Sequence, residues 1–467
     1  MVRRWLAPVA LAAITIGAAV GALMPARTRT PSRPAVAARA GVLSPRRLPD
    51  LLARAVADGN LHRRLDGVLA DTDLGAGRTD SCLIVTYDGD TIYDTRPDRA
   101  LTPASTLKLL TAAVALKRLG ADSRLDTTVV AKTAPNDGVV AGDLWLVGGG
   151  DPLLGTADYA GSFKDQPRLF TDLAALADSV ARAGVRTVTG GVVGDETRYD
   201  TQRYVPSWKP VYASDGDVGP LSALAFDDGF VEWKPKAIAA PAPATRAAAV
   251  FTELLKARGV TINAAPADGR APAGARTVAT LPSLPLRQVV GEMLIHSDNE
   301  SAELLTKELG RRFGAGGTTT AGVAVIRKTL TDLGLNIDAT TMNDGSGLDP
   351  ADKVTCSLLL SLITGPTKDD LLAAGLAVAA RTGTLFDRLL NTAAAERLRA
   401  KTGTLEGVLG LAGLVDPIAP NKQPLTFAFL ANSLPRPSEA RGKRLQQRLG
   451  EALAAYPDAP TAASLAP

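Results

Sequence analysis

The chain has 467 residues, 46% apolar and 21% charged, with 44 glycines and 31 prolines, enough for two or three compact units rich in turns. Its net charge is +4, yet residues 1–47 hold eight arginines and no acid, so the rest is net −4. A mildly acidic body argues against a nucleic-acid partner, and two histidines with two cysteines leave too few soft ligands for a structural metal site.

Arg3 and Arg4 precede an uncharged apolar stretch over residues 5–24. As a helix it would span about 30 Å, the thickness of a bilayer core, and its pattern also fits a secretory signal with Val20-Gly21-Ala22 as a cleavage candidate. We therefore expect residues 1–24 to be a signal peptide or membrane anchor, 25–49 to be a Pro/Arg/Ala-rich linker, and the protein to be exported. In an oxidising compartment Cys82 and Cys356 either pair or stay as buried thiols. They stand 274 positions apart, and the sequence leaves both readings open.

Residues 51–69 show helical spacing of apolar positions, interrupted by Gly59. Residues 82–87, Asp88-Gly89 and 91–93 read as a hairpin with a tight turn. Thr102-Pro103-Ala104 then opens a helix, with Thr102 as N-cap and Pro103 in the first helical position, carrying Leu107, Leu110 and Val114 on to Gly120. From 126 to 280 short β-like runs (127–131, 144–147, 188–193, 231–233) alternate with Gly/Pro punctuation, and helices are expected over 171–182 and 246–258. A helix-rich region runs from 285 to about 400, followed by β-like stretches 407–415 and 425–430 and a helix over 441–456. The start and finish of the folded chain can thus share one antiparallel sheet around a long insertion, an α+β arrangement.

Three motifs bear chemistry. In Ser105-Thr106-Leu107-Lys108 the i, i+3 spacing lets a hydroxyl meet an ammonium on one helix face. Alone this is as readily a solvated helix face. Ser297-Asp298-Asn299 follows an apolar run, and Lys401-Thr402-Gly403 opens a β-like stretch. In that order the three match the S-x-x-K, S-D-N, K-T-G set of penicillin-binding proteins and class A β-lactamases.

With these motifs the chain resembles the D-alanyl-D-alanine carboxypeptidase/endopeptidase family, the penicillin-binding proteins of peptidase group S13. Pro103-Ala104-Ser105, residues 142–152, Gly194-Asp195, residues 344–348 and Phe427-Ala428-Phe429 look like that family's blocks, so the likeness covers roughly residues 50–455. The 192 residues between Ser105 and Ser297 suit the insertion carried there. The resemblance implies a penicillin-binding/β-lactamase-like transpeptidase domain, an antiparallel sheet flanked by helices, over 50–125 and 281–458, with an inserted α+β, β-rich domain over 126–280. It implies an exported, cell-wall enzyme, anchored to the membrane if residues 5–24 are retained. The enzyme would act on peptidoglycan stem peptides, be acylated by β-lactams and need no cofactor.

By the same resemblance Ser105 is the nucleophile and Lys108 its base, with Lys401 and partial burial lowering the Lys108 pKa. Ser297 relays a proton to the leaving amine, and Asn299 orients Lys108 and holds the substrate amide. Lys401, Thr402 and Thr404 suit a terminal carboxylate, Gly403 lets a substrate strand pass, and the N–H groups of Ser105 and Thr404 form the oxyanion hole. A β-lactamase and a non-catalytic wall-binding scaffold are the rival readings.

Other features read blandly. Arg381-Thr382-Gly383-Thr384 mimics the third motif but reads as a loop. His296 reads as a structural or supporting histidine, and Asp344 and Ser346 as turn formers in a loop beside the pocket. Asp151 reads as a turn-capping carboxylate, with recognition of a substrate amine as the alternative.

Overall fold

The stretch Leu425–Ala431 is apolar at nearly every position instead of alternating. It is an inner strand of a six-stranded antiparallel sheet and is buried along its whole length, the setting in which continuous apolar runs are expected. The strand order is Ala377–Val378, Leu398–Leu405, Val408–Val415, Leu425–Ala431, Ser81–Tyr87, Asp90–Thr95. Ser81–Tyr87 pairs antiparallel with Leu425–Ala431, so both ends of the folded chain meet in one sheet. The first hairpin turns through Asp88 and Gly89, both at positive φ, as a two-residue type I′ loop requires.

The computed structural model describes residues 48–163, 168–365, 370–418, 422–461 and 464. The N-terminal apolar segment and the linker up to residue 47 lie outside the described residues. Among the described residues no helix is long and apolar enough to cross a membrane. Residues 56–459 pack as one compact unit; the described residues outside it are 48–55, at the start of helix Leu48–Leu69, and 460, 461 and 464.

Within that unit both faces of the sheet are covered. Cys82, Ala412, Ala428 and Leu430 join a core with helices Lys108–Leu119, Leu286–His296, Asn299–Phe313 and Cys356–Thr364. Leu83, Val85, Phe427 and Phe429 point the other way, onto Leu61 and Leu65 of the first helix and Leu445 and Leu449 of the last, Glu439–Ala454. Each such side chain contributes about 1.5–3 kcal/mol by burial. The chain between these parts builds a second layer with its own apolar cluster, including Val129, Leu146, Leu176 and Phe251. Its five-stranded sheet runs Ala267–Asp268, Val192–Asp195, Leu144–Val147, Thr127–Ala131, Arg276–Leu281, with helices Leu173–Arg182 and Pro243–Lys256 packed on it.

Four expectations change. First, Thr102 caps nothing: its hydroxyl donates to the Pro350 carbonyl at 3.1 Å and accepts from Lys353 Nζ at 2.6 Å. Pro103 precedes a 3₁₀ turn, Ala104–Leu107, and the α-helix begins only at Lys108. Ala104 is the reason, since its φ of 47° lies in the left-handed region and cannot continue an α-helix. Second, residues 188–193 form two strands, Thr187–Val188 and Val192–Asp195. They part where Gly190 comes so close to Asp143 that a Cβ would sit 2.1 Å from its Oδ1. Third, the helix-rich region ends at Ala374, not near 400. Positive φ at Ala380, Gly383, Leu389, Asn391 and Glu396 breaks any helix there. Fourth, Gly59 does not interrupt the first helix, Leu48–Leu69.

The cysteine alternative is resolved by a disulfide between Cys82 and Cys356, with Cα atoms 6.0 Å apart. It ties an inner strand to the first turn of helix Cys356–Thr364 across 274 positions. A loop that long is entropically costly to close, and the bridge removes that freedom from the unfolded chain. Replacing both cysteines by alanine is therefore expected to cost about 2–5 kcal/mol in urea unfolding; an unchanged midpoint would count against this account.

Candidate active site

The left-handed Ala104 turns the chain so that the 3₁₀ residues Ala104–Leu107 present Ser105 half-buried at the start of the Lys108 helix. Lys108 is fully buried. Its ammonium has three N–H donors, and Nζ donates to Ser105 Oγ at 3.0 Å, Asn299 Oδ1 at 2.6 Å and the Ser346 carbonyl at 2.7 Å. Burial lowers the Lys108 pKa to about 8, opposed by the nearby charges of Asp344, Glu303 and Asp298. Burial is the main cause of that lowering. Lys401 and Lys108 each disfavour the other's charge, and the Lys401 pKa is held well below the lysine range by burial first, then by Lys108 and Arg388.

Ser297 ends helix Leu286–His296 in a left-handed conformation, φ 60° and ψ 34°. Asp298 then caps the next helix, accepting from the Ser301 N–H at 3.2 Å and hydroxyl at 2.8 Å. The Ser-Asp-Asn motif is thus a sharp helix-to-helix corner that delivers Asn299 to Lys108. Asn299 Nδ2 donates in turn to the Asp217 carbonyl at 2.7 Å. Arg168, almost completely buried, pairs with both Asp298 and Asp228. Its guanidinium lies 4.3 Å from the Phe163 ring centroid. Next to it, burial pushes the Glu300 carboxyl well up, reinforced by Asp228 and Asp298.

Lys401, Thr402, Gly403 and Thr404 lie in strand Leu398–Leu405. Gly403 abuts the serine turn: a Cβ there would sit 2.6 Å from the Pro103 carbonyl and 3.2 Å from Thr106 N. Lys401 shares that strand face by alternation. Its Nζ donates to the Thr402 carbonyl at 2.8 Å. Beyond its pairing with Ala377–Val378 near one end, the edge of this strand away from Val408–Val415 has no strand partner among the described residues. A cleft of about 720 Å³ is lined by Thr404, Thr384, His296, Tyr212, Asp217 and Arg388 among others. Ser105 and Lys108 do not line it; Asp217 connects it to them, its carbonyl holding Asn299.

Ser105, Lys108 and Asn299 are therefore joined directly, and Gly403 packs against the serine turn. Among the described residues no side-chain hydrogen bond links Ser297 or Lys401 to that trio. Sequence reasoning missed two backbone carbonyls, those of Ser346 and Asp217, which carry no side-chain signature. It also undervalued the 381–384 loop. That loop contains a 3₁₀ turn, Gly383–Leu385, and its Thr384 Oγ1 accepts from Thr402 Oγ1 at 2.9 Å inside the cleft wall. His296 Nε2 sits 3.3 Å from Glu292 Oε2, with its ring edge on Phe163. Asp344, the turn former, accepts N–H bonds from Ser346, Gly347 and Asp349. Asp151 is buried and caps its turn through the Leu153 N–H at 3.0 Å. Among the described residues no cluster of three or more His, Cys, Asp or Glu could hold a metal ion.

The antiparallel sheet, its helical layers and the serine–lysine turn define a penicillin-binding type of fold. The chain matches the family model described as D-Ala-D-Ala carboxypeptidase 3 (S13) over residues 61–240 and 231–455, and it belongs to that family of serine peptidases. It is 29% identical over 435 residues to a D-alanyl-D-alanine carboxypeptidase of Actinomadura sp., covering 76% of this chain and 78% of the relative. It is 32% identical over 382 residues to a carboxypeptidase of Mycobacterium tuberculosis, covering 78% of each. In fold it is similar to penicillin binding protein 4 of Haemophilus influenzae, with a TM-score of 0.68, 20% identity, and 80% of this chain and 95% of that one covered. That protein is also known in complex with a β-lactam.

The contact at Gly403 makes a direct prediction. Gly403→Ala forces a methyl against backbone on the serine turn and is expected to cost about 1–3 kcal/mol by overpacking. Urea unfolding of the variant against the parent chain checks this.

Proposed function

We propose that this serine D-alanyl-D-alanine carboxypeptidase works through an acyl-enzyme on Ser105, with Lys108 as base. The observation that carries the reading is the Lys108 Nζ–Ser105 Oγ contact of 3.0 Å, made by a buried ammonium whose pKa is lowered to about 8. A lysine poised there is neutral for part of the time near neutral pH and can accept the Ser105 proton as Oγ attacks the carbonyl of the penultimate D-alanine. The oxyanion that forms is met by the N–H groups of Ser105 and Thr404, such donors being worth about 2.7–4 kcal/mol each in other hydrolases. The proton passes through Ser297 to the departing amine as the C–N bond breaks and D-alanine leaves. Water then attacks the ester, releases the shortened peptide and restores Ser105.

Lys401, Thr402 and Thr404 receive the terminal carboxylate. Burial disfavours the charged form of Lys401, so an incoming anion restores it and is held in return. The open edge beside Gly403 takes the substrate as an added strand. The same serine is acylated by β-lactams. Cleavage of D-alanyl cross-links belongs to the same chemistry, because a cross-bridge presents the same acyl donor with a different amine.

The catalytic part would comprise residues 50–125 and 281–458, and 126–280 would be an inserted domain, consistent with its separate apolar cluster. Residues 1–24 would direct export, as signal or anchor, with 25–49 as linker, placing the enzyme at the peptidoglycan.

Mapping the adduct of a labelled penicillin tests the assignment. Ser105 is expected to carry a stable label that Ser105→Ala lacks; rapid drug turnover would favour a β-lactamase, and no label a scaffold. Lys108→Ala should slow acylation by about 10²–10⁴-fold. Because only the neutral amine serves as base, the acylation rate should rise with pH through about 8; a profile flat from pH 6 to 10 would remove Lys108 from that role. Lys401→Ala should raise KM for carboxylate-ended peptides and spare an amidated one.

A further inference from the structure

Segment 204–218 belongs to the intervening part of the chain, yet both of its ends reach the ligands of Lys108. Trp208, nearly buried, donates from Nε1 to Asp344 Oδ2 at 2.7 Å. Asp344 is fully buried and organises the loop behind Lys108: its carboxylate also accepts the N–H groups of Ser346 at 3.2 Å, Gly347 at 2.7 Å and Asp349 at 2.8 Å. The carbonyl of Ser346 on that loop receives Lys108 Nζ. At the other end, the Asp217 carbonyl receives Asn299 Nδ2, and Asn299 Oδ1 is a second acceptor for Lys108. Along the segment, Val205, Trp208, Tyr212 and Val218 pack with Leu304 and Leu348. Leu304 lies on the Asn299 helix and Leu348 on the Ser346 loop. Ser207 Oγ closes the arrangement on the Asp349 carboxylate.

We propose that segment 204–218 is a strap that positions Lys108, with Trp208 as its positioning residue acting through Asp344 on the Ser346 carbonyl. The proposal rests on Ser105 and Lys108 acting as described above and assigns the intervening region a part in the chemistry. The strap spans two acceptors of the ammonium that lie on separate elements and fixes their separation. The charge environment makes Asp344 the lever. Lys108 faces Asp344 on the loop, Glu303 and Asp298 on the Asn299 helix, and Lys401 on the sheet. Asp298 is paired with Arg168, and burial with the Asp344 charge raises Glu303 to about 8. Asp344 itself is faced by Glu303, Lys108, Tyr212, Asp349 and Asp352, the last raised to about 10, mainly by burial. Withdrawing the indole N–H leaves the Asp344 carboxylate less satisfied, and its pull on the Lys108 proton grows.

The test uses the full chain and a fluorescent penicillin, following acylation against pH. Trp208→Phe keeps an aromatic ring but removes the donor and some volume, and only loss of the donor should move the pH limb. It is expected to acylate about tenfold more slowly at pH 7, with the rising limb displaced to higher pH. Asp344→Asn should move the limb to lower pH, and in that background Trp208→Phe should change the rate less than twofold. An unmoved limb in Trp208→Phe, or its full loss persisting beside Asp344→Asn, overturns the proposal, since packing alone would give either. If Trp208→Phe does not fold, Asp344→Asn decides, and an unmoved limb there overturns it equally. Failure of the parent chain to label at Ser105 would instead overturn the nucleophile assignment, and the strap with it.

Discussion

Taking the Lys108 ammonium out of water is the constraint on which the site depends. An unpaired buried ammonium costs several kcal/mol, so each of its three N–H groups must find an oxygen, and those oxygens come from three separate stretches of chain: Ser105, Asn299 and Ser346. Meeting that demand fixes local backbone. Ala104 is driven to φ 47°, and Gly347, at φ 84°, passes so near that a Cβ would lie 2.0 Å from the Ala104 carbonyl. Ser297 takes the left-handed corner that brings Asn299 round. Strain of about 1–3 kcal/mol at Ala104 and at Ser297 persists because the two helices and the sheet beneath hold the chain there.

The same burial underlies the base role proposed for Lys108. A lysine with unperturbed pKa would hold its proton too firmly to serve as a base near neutrality, and one without counter-charges would be neutral throughout. The balance struck at about 8 comes from desolvation set against carboxylates that are themselves restrained: Asp298 by Arg168, and Asp344 by its backbone donors and Trp208. Lys401 sits at the other extreme, with burial and two neighbouring cations all disfavouring its charge. In the role proposed for Lys401, a substrate carboxylate would supply the counter-ion.

What was legible in the sequence follows from the range of the interactions. Ser105 and Lys108 are three residues apart, and a helical turn converts that spacing into contact whatever the rest of the fold does. The first hairpin, the last helix and the joining of both chain ends in one sheet were legible because their apolar patterns are strong. The start of the Lys108 helix was misplaced because Thr102-Pro103 is a good cap by propensity, while tertiary bonds from Thr102 to Pro350 and Lys353 claim its hydroxyl instead. The Ser346 and Asp217 carbonyls were invisible because any residue type supplies one. Thr384 was set aside because its motif reads as a loop; its place in the cleft wall depends on a tertiary hydrogen bond from Thr402.

The intervening chain is more than a neighbour of the serine–lysine layer. Arg168 is a buried cation shared by Asp228 in the intervening chain and Asp298 in the Ser-Asp-Asn corner. Removing it would strand two carboxylates in low dielectric, beside a Glu300 whose raised pKa already marks the region as hostile to more negative charge. The corner that carries Asn299 is thus held from the intervening chain by Arg168 through Asp298 and by the Asp217 carbonyl. The long chain between Ser105 and Ser297 therefore supports the site, because its contacts converge on the groups that hold the lysine.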